Sequence, residues 1–378
     1  MKILLIGNYD KDHQYSMQKF STCLQTGLEQ EGHEVELLKP QPIFGYFFKS
    51  TVSGLAKWFG YIDKYILFPI ILIFKAKYTD ILHISDHSNS IYIPFIKKHP
   101  HVITCHDMMA VRSALDEFKL YNQVRKTGKI QQILILNGLK EAKHISAVSN
   151  ATKHDLLRLI KHDANQIKVI HNGLNFDYKS LSKEACLNIL DRYNINPDFN
   201  FLLHVGGNQW YKNRKGVLFI YNALIKKEPN INVKLVLAGK PLTHELNFLI
   251  KDLGLSEHVI VITEPTNQEL NALYCLTKGL IFPSLCEGFG WPIIEAQACG
   301  SLVFTSNYEP MTEVGGEAAI YFDPLLPDEA AKIIVNTISD HDSIEKKLHL
   351  NKSNIDKFST QSMIKNYIAY YELILTGH

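Results

Sequence analysis

Residues 279–300 read GLIFPSLCEGFGWPIIEAQACG, a strand-like apolar run followed by a glycine-bearing turn and a helix-like run. Glu287 lies in the turn and Glu295 in the first turns of the helix, with seven residues between them. Gly288 and Gly290 let the backbone approach a ligand because they carry no Cβ, and the N–H groups that begin a helix bind anions and hydroxyls. A carboxylate can accept two hydroxyl hydrogens from one sugar ring. This unit therefore predicts a parallel α/β fold with a sugar-nucleotide site.

Short apolar runs alternate with helical patterns along the whole chain, which predicts parallel sheets built from βα units. Most runs are continuously apolar, as expected for strands that helices cover on both faces. The predicted strands of the first half are Lys2–Asn8, Glu34–Lys39, Asp80–Ser85, His101–His106, His144–Ser149 and Lys168–His171. Those of the second half are Phe201–Gly206, Val233–Gly239, Val259–Thr263, Gly279–Pro283, Ser301–Thr305 and Ala319–Phe322. Six strands in each half predict two doubly wound domains, and we expect the polar stretch Asn175–Asn200 to link them.

The composition excludes several classes of protein. The net charge of +2 gives no basic field for nucleic acid. The six cysteines show no CxxC spacing, so we expect buried thiols in a reducing compartment rather than disulfides or a metal site. The chain starts directly with a strand pattern, and its longest apolar run, Tyr65–Phe74, is too short to span a bilayer. We therefore expect a cytoplasmic protein.

Residues Pro283–Gly300 resemble the Glu-x7-Glu motif of the family 4 retaining glycosyltransferases, and the resemblance extends over nearly the whole chain. It implies the GT-B fold, two facing Rossmann-like domains with a nucleotide-sugar cleft between them. In that fold, residues 1–175 would form the acceptor-binding domain and residues 198–360 the donor-binding domain. The C-terminal helix, within 361–378, would pack back on the first domain. In the alternative interpretation, Glu295 only complements the helix dipole and Glu287 is a solvated turn residue.

The same resemblance implies the activity and the roles of the two glutamates. The enzyme would transfer a hexose from a UDP- or GDP-sugar, with retention at the anomeric carbon, to a glycan or a lipid-linked acceptor. Glu287 would orient the donor sugar and Glu295 would bind ribose hydroxyls. The backbone amides of Gly288, Phe289 and Gly290 would hold sugar hydroxyls or phosphate. The family view is front-face attack, in which the leaving phosphate acts as the base for the acceptor hydroxyl.

The run GGNQWYKNRK, residues 206–215, offers three cations within four positions after a double glycine, which suits a diphosphate. A basic helix start on the surface is the alternative. The run resembles the family pattern Val-Gly-x-Arg-x-x-Tyr-Lys-Asn, which places Lys212 where the family has the lysine that neutralises the donor diphosphate. Gly207 and Asn208 would also contact the donor. Asn208 stands where the family has an arginine, and Arg214 and Lys215 are the candidates to replace that charge.

Lysine in place of an Asp-x-Asp motif implies that the reaction needs no metal, and we expect no cofactor besides the donor substrate. In the first domain, His106 follows a predicted strand and resembles the family histidine near the transferred sugar. Asp107 could fix its tautomer, although a capping His-Asp pair in a turn is the alternative. The polar run at Asp86, His87 and Asn89, together with Asp107, is the expected acceptor contact.

The loop after Gly7 should run beneath the diphosphate into the first helix. Many family members carry a Gly-Gly pair there, whereas this chain has Ser16-Met17. The backbone N–H and the hydroxyl of Ser16 can still contact a phosphate. No GxGxxG pattern occurs in the loop, which argues against a dehydrogenase.

Residues 39–79 hold six lysines, one acid and eleven aromatic residues. A basic, aromatic-rich segment suits the surface of an anionic bilayer, so peripheral contact with the inner face of the cell membrane is one expectation. A second interpretation is that these are core helices with lysines on the solvent-exposed side, and a third is that the aromatic residues stack on an acceptor sugar.

Two rival functions stay open from the sequence. A GT-B-fold phosphorylase or a sugar-nucleotide epimerase would share the fold and the donor-site residues. A catalytically weak or inactive partner would bind the nucleotide sugar without transfer, and the replacements at Asn208 and Ser16 keep that alternative open. Incubation with the donor alone distinguishes the epimerase, and phosphate-dependent breakdown of glycosides distinguishes the phosphorylase.

Overall fold

A computed structural model describes residues 1–51, 54–193, 195 and 199–377. The chain forms two compact units. The first contains Met1–Asn175 together with the C-terminal segment from Thr360, and the second contains Phe176–Ser359.

The first unit is a parallel six-stranded sheet with helices on its faces. Its strands are β1 (Lys2–Ile6), β2 (Glu34–Leu38), β3 (Ile81–Ile84), β4 (His101–Cys105), β5 (Ile145–Ala147) and β6 (Ile167–Val169). Its helices up to Asn175 are α1 (Tyr15–Gln30), α2 (Gly54–Ile62), α3 (Phe68–Ala76), α4 (Ile93–Ile96), α5 (Met109–Ala114), α6 (Lys126–Glu141) and α7 (Asn150–Ile160). A π-helical turn, Asp63–Leu67, joins α2 to α3. The interior strands β3 and β4 are buried along their whole length because helices cover both faces of the sheet.

The strand order of this sheet is β2-β1-β3-β4-β5-β6, with parallel pairing throughout. The chain moves outward from β1 to β2 and then returns to β3 on the other side of β1. The order therefore reverses between β1 and β3. In open α/β sheets, ligands bind outside the carboxyl ends of the strands at such a point.

The second unit repeats this plan. Its strands are β7 (Phe201–Gly206), β8 (Lys234–Gly239), β9 (Val259–Thr263), β10 (Gly279–Phe282), β11 (Val303–Ser306) and β12 (Ile320–Phe322). Its helices are α8 (Lys183–Ile189), α9 (Arg214–Lys227), α10 (His244–Asp252), α11 (Asn267–Leu276), α12 (Trp291–Ala298), α13 (Met311–Gly315), α14 (Pro327–Ile338) and α15 (His341–Ile355). The strand order β12-β11-β10-β7-β8-β9 reverses between β7 and β10.

The helix α16 (Thr360–Thr376) belongs to the first unit. Its apolar side packs on α1, where Gly27 is required because a Cβ there would lie 2.5 Å from Ile364. Its tyrosines reach the sheet: the hydroxyl of Tyr367 lies 2.9 Å from Thr104 Oγ1, which lies 2.7 Å from His83 Nε2. These hydrogen bonds satisfy buried polar groups in an otherwise apolar core.

The twelve predicted strands are confirmed, each with ends within two residues of the prediction. The predicted linker Asn175–Asn200 is wrong for most of its length. Its described part carries α8, which packs against α11, and Lys179 is hydrogen-bonded through its N–H to Asn271 Oδ1 at 2.9 Å. No helix in the described part of the chain is long and apolar enough to cross a membrane.

Candidate functional site

The reversal point of the second sheet is flanked by two loops that carry predicted residues. The Lys212 loop, residues 207–213, follows β7, and the Glu287 loop, residues 283–290, follows β10. Lys212 Nζ donates to Glu287 Oε1 at 2.7 Å, so the two loops are joined by an ion pair across the reversal point. Both side chains are largely buried. The paired charges lie where an α/β sheet of this kind binds its ligand.

Local hydrogen bonds fix the shape of the Lys212 loop. Asn213 adopts the left-handed conformation, with φ of 53°, and caps α9 by accepting from the N–H of Gly216 at 3.1 Å. Its amide nitrogen donates to the carbonyl of Pro283 at 3.0 Å, and the N–H of Leu285 donates to the carbonyl of Tyr211 at 2.8 Å. Because these hydrogen bonds join the two loops, they fix the backbone on both sides of Lys212.

The structure distinguishes the two candidates to replace the charge missing at Asn208. The guanidinium of Arg214 is buried and donates to Asn208 Oδ1 and to the carbonyl of Lys240, both at 2.8 Å. Burial lowers the pKa of Arg214, but an arginine stays charged. Lys215 instead points to solvent, where it pairs with Glu245 at 2.5 Å. Arg214 is therefore the cation next to Asn208, the position where the family pattern has an arginine, and Lys215 is a surface residue.

The second glutamate lies where the sequence predicts, inside α12. Glu295 is buried and accepts from the hydroxyl of Tyr274 at 2.8 Å. Burial raises the pKa of Tyr274 most, and the negative charge of Glu295 raises it further, so the hydroxyl stays protonated and remains a donor. Gly290 begins the helix with φ of 107°, a conformation that glycine adopts without strain. Phe289 is buried against Trp291 and Phe358, which anchors the loop.

Sequence reasoning missed two polar side chains beside these loops. His204 on β7 donates through Nδ1 to the carbonyl of Ile281 at 3.0 Å, and burial lowers its pKa to about 3. A Cβ on Gly206 would lie 3.1 Å from His204 Nε2 and 3.7 Å from Lys212 Cδ, so the ring and the lysine border the same glycine. Among the described residues, His204 Nε2 and Ser284 Oγ are buried without a hydrogen-bond partner. Both atoms can accept from a ligand hydroxyl.

In the first unit, the predicted residues gather at the reversal point between β1 and β3. Asn8, directly after Gly7, donates to Asp86, and Asp86 also accepts from the hydroxyl of Ser88 at 2.6 Å. His87 Nδ1 lies 3.2 Å from Asp86 Oδ1. Burial alone would raise the pKa of Asp86, but the hydrogen bond and charge of His87 outweigh it and hold that pKa well below its usual range. The cluster presents a charged carboxylate that is already hydrogen-bonded.

His106 joins this cluster through the backbone rather than through its sequence neighbour. Its Nε2 donates to the carbonyl of Ser85 at 2.9 Å, and burial lowers its pKa, so the ring is neutral at pH 7. The expectation that Asp107 fixes this tautomer is wrong, because the carbonyl of Ser85 accepts the Nε2–H, whereas Asp107 Oδ1 accepts from the N–H of Met109 at 2.9 Å. Adjacent residues at a strand end point in different directions.

The remaining predicted residues of the first unit have simpler surroundings. Gly7 donates its N–H to the carbonyl of Leu38 at 2.9 Å, and a Cβ there would press on Lys39. Ser16 is exposed in the first turn of α1, where backbone N–H groups lack helical partners. Asn89 is buried, and within the described residues its Nδ2 has no hydrogen-bond partner.

Two family models match successive parts of this chain. The model described as Glycosyltransferase Family 4 matches residues 21–178, and the one described as Glycosyl transferases group 1 matches residues 188–355. The chain is 27% identical over 238 residues to O-antigen chain mannosyltransferase B of Escherichia coli, covering 62% of each protein. It is 28% identical over 193 residues to O-antigen chain mannosyltransferase RfbU of Salmonella typhimurium, covering 51% of this chain and 50% of that one. It thus aligns to less than two thirds of their length. These matches support a family 4 glycosyltransferase.

Solved structures establish the fold. HepE of Anabaena, solved in complex with UDP and glucose, aligns with a TM-score of 0.73 at 19% identity over 98% of this chain and 99% of that one. WaaG, a glycosyltransferase involved in lipopolysaccharide biosynthesis, aligns with a TM-score of 0.74 at 13% identity over the whole of both chains. The two parallel six-stranded sheets therefore form the GT-B fold, as the sequence predicts.

Proposed function

We propose that this protein is a retaining glycosyltransferase that moves a hexose from a nucleotide diphosphate sugar to a glycan or lipid-linked acceptor. The observation that carries the proposal is the ion pair between Lys212 and Glu287 across the reversal point of the second sheet. Support also comes from the named activities of the relatives, two O-antigen mannosyltransferases, and from HepE, which was solved with UDP and glucose. The process would be cell-surface polysaccharide or glycolipid synthesis in the cytoplasm.

Lys212 would stabilise the diphosphate as it leaves, because negative charge develops there in the transition state. In the structure that lysine is neutralised by Glu287. Donor binding would exchange one partner for another: the diphosphate takes the ammonium, and Glu287 turns to the hydroxyls of the sugar. Arg214 would supply the second cation through its place beside Asn208. Arg214, the first residue of α9, would thus supply the positive charge that the arginine of the family pattern supplies.

Glu295 would bind the ribose hydroxyls, with Tyr274 fixing the carboxylate in place. The amides of residues 288–290 would hold sugar hydroxyls or phosphate, since they precede α12 and since Gly288 and Gly290 carry no side chain. His106 would meet the transferred sugar as a neutral ring, and the cluster of Asp86, His87 and Asn89 would contact the acceptor. The leaving phosphate would act as the base, so no protein side chain is assigned that role.

A transfer assay tests the proposal. Purified protein is incubated with UDP- and GDP-hexoses and an acceptor extract, and the product is analysed by mass spectrometry and by NMR of the anomeric configuration. We expect hexose transfer with retention, and full activity in EDTA because lysine rather than a metal neutralises the diphosphate. Isomerisation of the donor in the absence of acceptor would contradict the proposal and indicate an epimerase. Phosphate-dependent breakdown of glycosides would contradict it and indicate a phosphorylase.

A further inference from the structure

A groove in the first unit lies outside the residues assigned to donor binding and transfer. Its volume is about 770 Å³ and its walls are mostly apolar. One wall is a single face of α6 that runs from Thr127 to Glu141, a length of about 21 Å at the helical rise of 1.5 Å per residue. The opposite wall runs from Lys57 to Pro69 on α2, the π-helical turn and α3. Ligand sites in proteins have volumes of this order.

The rim of the groove exposes large apolar side chains together. Trp58, Phe95, Ile130 and Leu134 all line it and all are exposed. Outside the groove, α3 also exposes apolar side chains, among them Ile70. Contiguous exposed apolar patches mark interaction sites on proteins. Residues 39–79 therefore expose apolar side chains as well as lysines to solvent, so the interpretation as core helices with only lysines exposed is wrong.

The polar groups of the groove are few, and one hydroxyl among them points to a ligand. Tyr61 and Tyr65 are each 3.4 Å from the side-chain amide of Gln131, so their hydroxyls are satisfied. The hydroxyl of Tyr92 is buried in the groove and has no hydrogen-bond partner among the described residues. A buried unpaired hydroxyl costs free energy unless a ligand accepts from it. Tyr92 therefore predicts an oxygen atom in the bound molecule.

The charge at the groove is positive. Its carboxylate, Glu141, is paired with Lys97 at 3.6 Å. Lys57 lies over the ring of Tyr61, 5.4 Å from its centroid, and no carboxylate in the described part of the chain pairs with it. An ammonium that is not neutralised next to an apolar groove suits a ligand with an apolar chain and an anionic head.

We propose that this groove binds the hydrocarbon chain of an anionic lipid, whose head group faces Lys57 and accepts from Tyr92. A peptide is a poorer occupant, because its backbone would bring many N–H and C=O groups to walls that offer few partners. The lipid would present the acceptor for sugar transfer, and in that sense the inference rests on the proposed function. Lipid binding itself needs no donor and no turnover, so the two can fail separately.

The test uses the quenching of Trp58 fluorescence by brominated phosphatidylglycerol in vesicles that also contain phosphatidylcholine, with the full chain and no nucleotide. The Trp58→Phe variant gives the background from Trp210 and Trp291. Leu134→Glu introduces a charge into the groove, and Ile70→Glu is the matched control, because both side chains are 54% exposed and Ile70 does not line the groove. We expect Leu134→Glu to weaken quenching about tenfold or more, since one buried leucine contributes at least a decade of affinity, and Ile70→Glu to stay within about threefold of the wild type.

A second variant keeps the test valid if Leu134→Glu does not fold. Tyr92→Phe removes one hydroxyl and nothing else, and the loss of its hydrogen bond should weaken binding about threefold. Brominated phosphatidylcholine alone should quench less than the phosphatidylglycerol mixture, with the difference lost in high salt. A nucleotide thermal shift on the same variants should be unchanged, which separates failure of the groove from failure of the donor site.

Three results would overturn the proposal. Quenching that persists in Trp58→Phe would mean that Trp58 does not meet the lipid. Equal losses in Leu134→Glu and Ile70→Glu would mean that the helices only adsorb to the bilayer surface. A dimer that sedimentation detects and that Leu134→Glu dissociates would make the groove an interface between two copies of this chain.

Discussion

The Lys212 and Glu287 loops and the groove beside α6 differ in how their residues are distributed along the chain. Each loop is a continuous stretch that follows a strand, residues 207–213 after β7 and residues 283–290 after β10, and the two meet because β7 and β10 are neighbours. The groove instead combines residues from three segments, 57–69, 91–95 and 127–141. Chemistry that lies in a continuous loop at a strand end can be predicted from a sequence, whereas chemistry assembled from separate helix faces requires the structure.

The two regions also differ in charge. The loops hold an internal ion pair between Lys212 and Glu287, which a charged ligand would exchange, whereas no carboxylate of the described residues pairs with Lys57 in the groove. The first arrangement suits a strongly anionic diphosphate that competes for the lysine. The second suits long-range attraction of an anionic surface. The comparison predicts that mutations in the loops change turnover and nucleotide affinity, while those in the groove change lipid binding alone.

The largest expected effect is the loss of Lys212. Changing Lys212 to Ala should lower kcat by about 100- to 1000-fold, the cost of removing one preorganised group that stabilises developing charge. The matched control is Lys215→Ala three positions along, which removes only an exposed pair with Glu245 and should leave kcat within about twofold. Steady-state kinetics with thermal unfolding of both variants measures this. Activity equal to wild type in Lys212→Ala would remove its assigned role.

Acid should destabilise both units through buried histidines. Burial lowers the pKa of His83 and of His204 to about 3, whereas each takes up a proton near pH 6.5 when unfolded. The unfolded state then binds more protons, so stability falls as pH drops from about 6.5 toward 3, by about 3 kcal/mol per histidine between pH 6.5 and 4. Urea unfolding at several pH values should show a shallower acid slope in His83→Gln and in His204→Gln. Slopes identical to wild type would contradict the buried, neutral assignment.

Arg214 offers a sharper test of the role proposed for the Lys212 loop. Arg214→Gln should raise the Kd of the nucleotide diphosphate about tenfold, because it removes a charge-assisted hydrogen bond. Adding Asn208→Arg to that variant returns a cation to the family position and should restore most of the affinity. Isothermal titration checks both variants. If Arg214→Gln binds as wild type does, the charge at Asn208 has no replacement and the inactive-partner alternative gains support.

The smallest effect concerns Tyr274, which acts through Glu295. Tyr274→Phe removes one hydroxyl and should raise KM for the donor about threefold with kcat nearly unchanged. Tyr221→Phe is its control, because that buried hydroxyl donates to the carbonyl of Val233 at 2.7 Å on another part of the second unit. A larger fall in kcat than in affinity would show that Tyr274 takes part in the chemistry and does not only position Glu295.

The fold could be predicted in detail because most strands are apolar runs ended by a polar or glycine residue. The segment from Asn175 to Asn200 could not, since α8 is short and buries only Cys186 among many polar residues. The partner of His106 could not be predicted either: sequence adjacency favoured Asp107, but the carbonyl that it reaches belongs to Ser85, directly after the neighbouring strand β3. The charge beside Asn208 required the structure because α9 carries Arg214 back toward that position.

The most direct test of the account is a thermal-shift measurement with UDP, GDP, ADP, CMP and their sugars on wild type and Glu295→Ala. A nucleotide at 100 times its Kd should stabilise the folded wild type by about 2.7 kcal/mol. We predict that UDP or GDP and its sugar raise Tm of the wild type and that this shift collapses in Glu295→Ala. An equal shift in both proteins would contradict the site at α12, and the absence of any shift in the wild type would contradict nucleotide-sugar binding altogether.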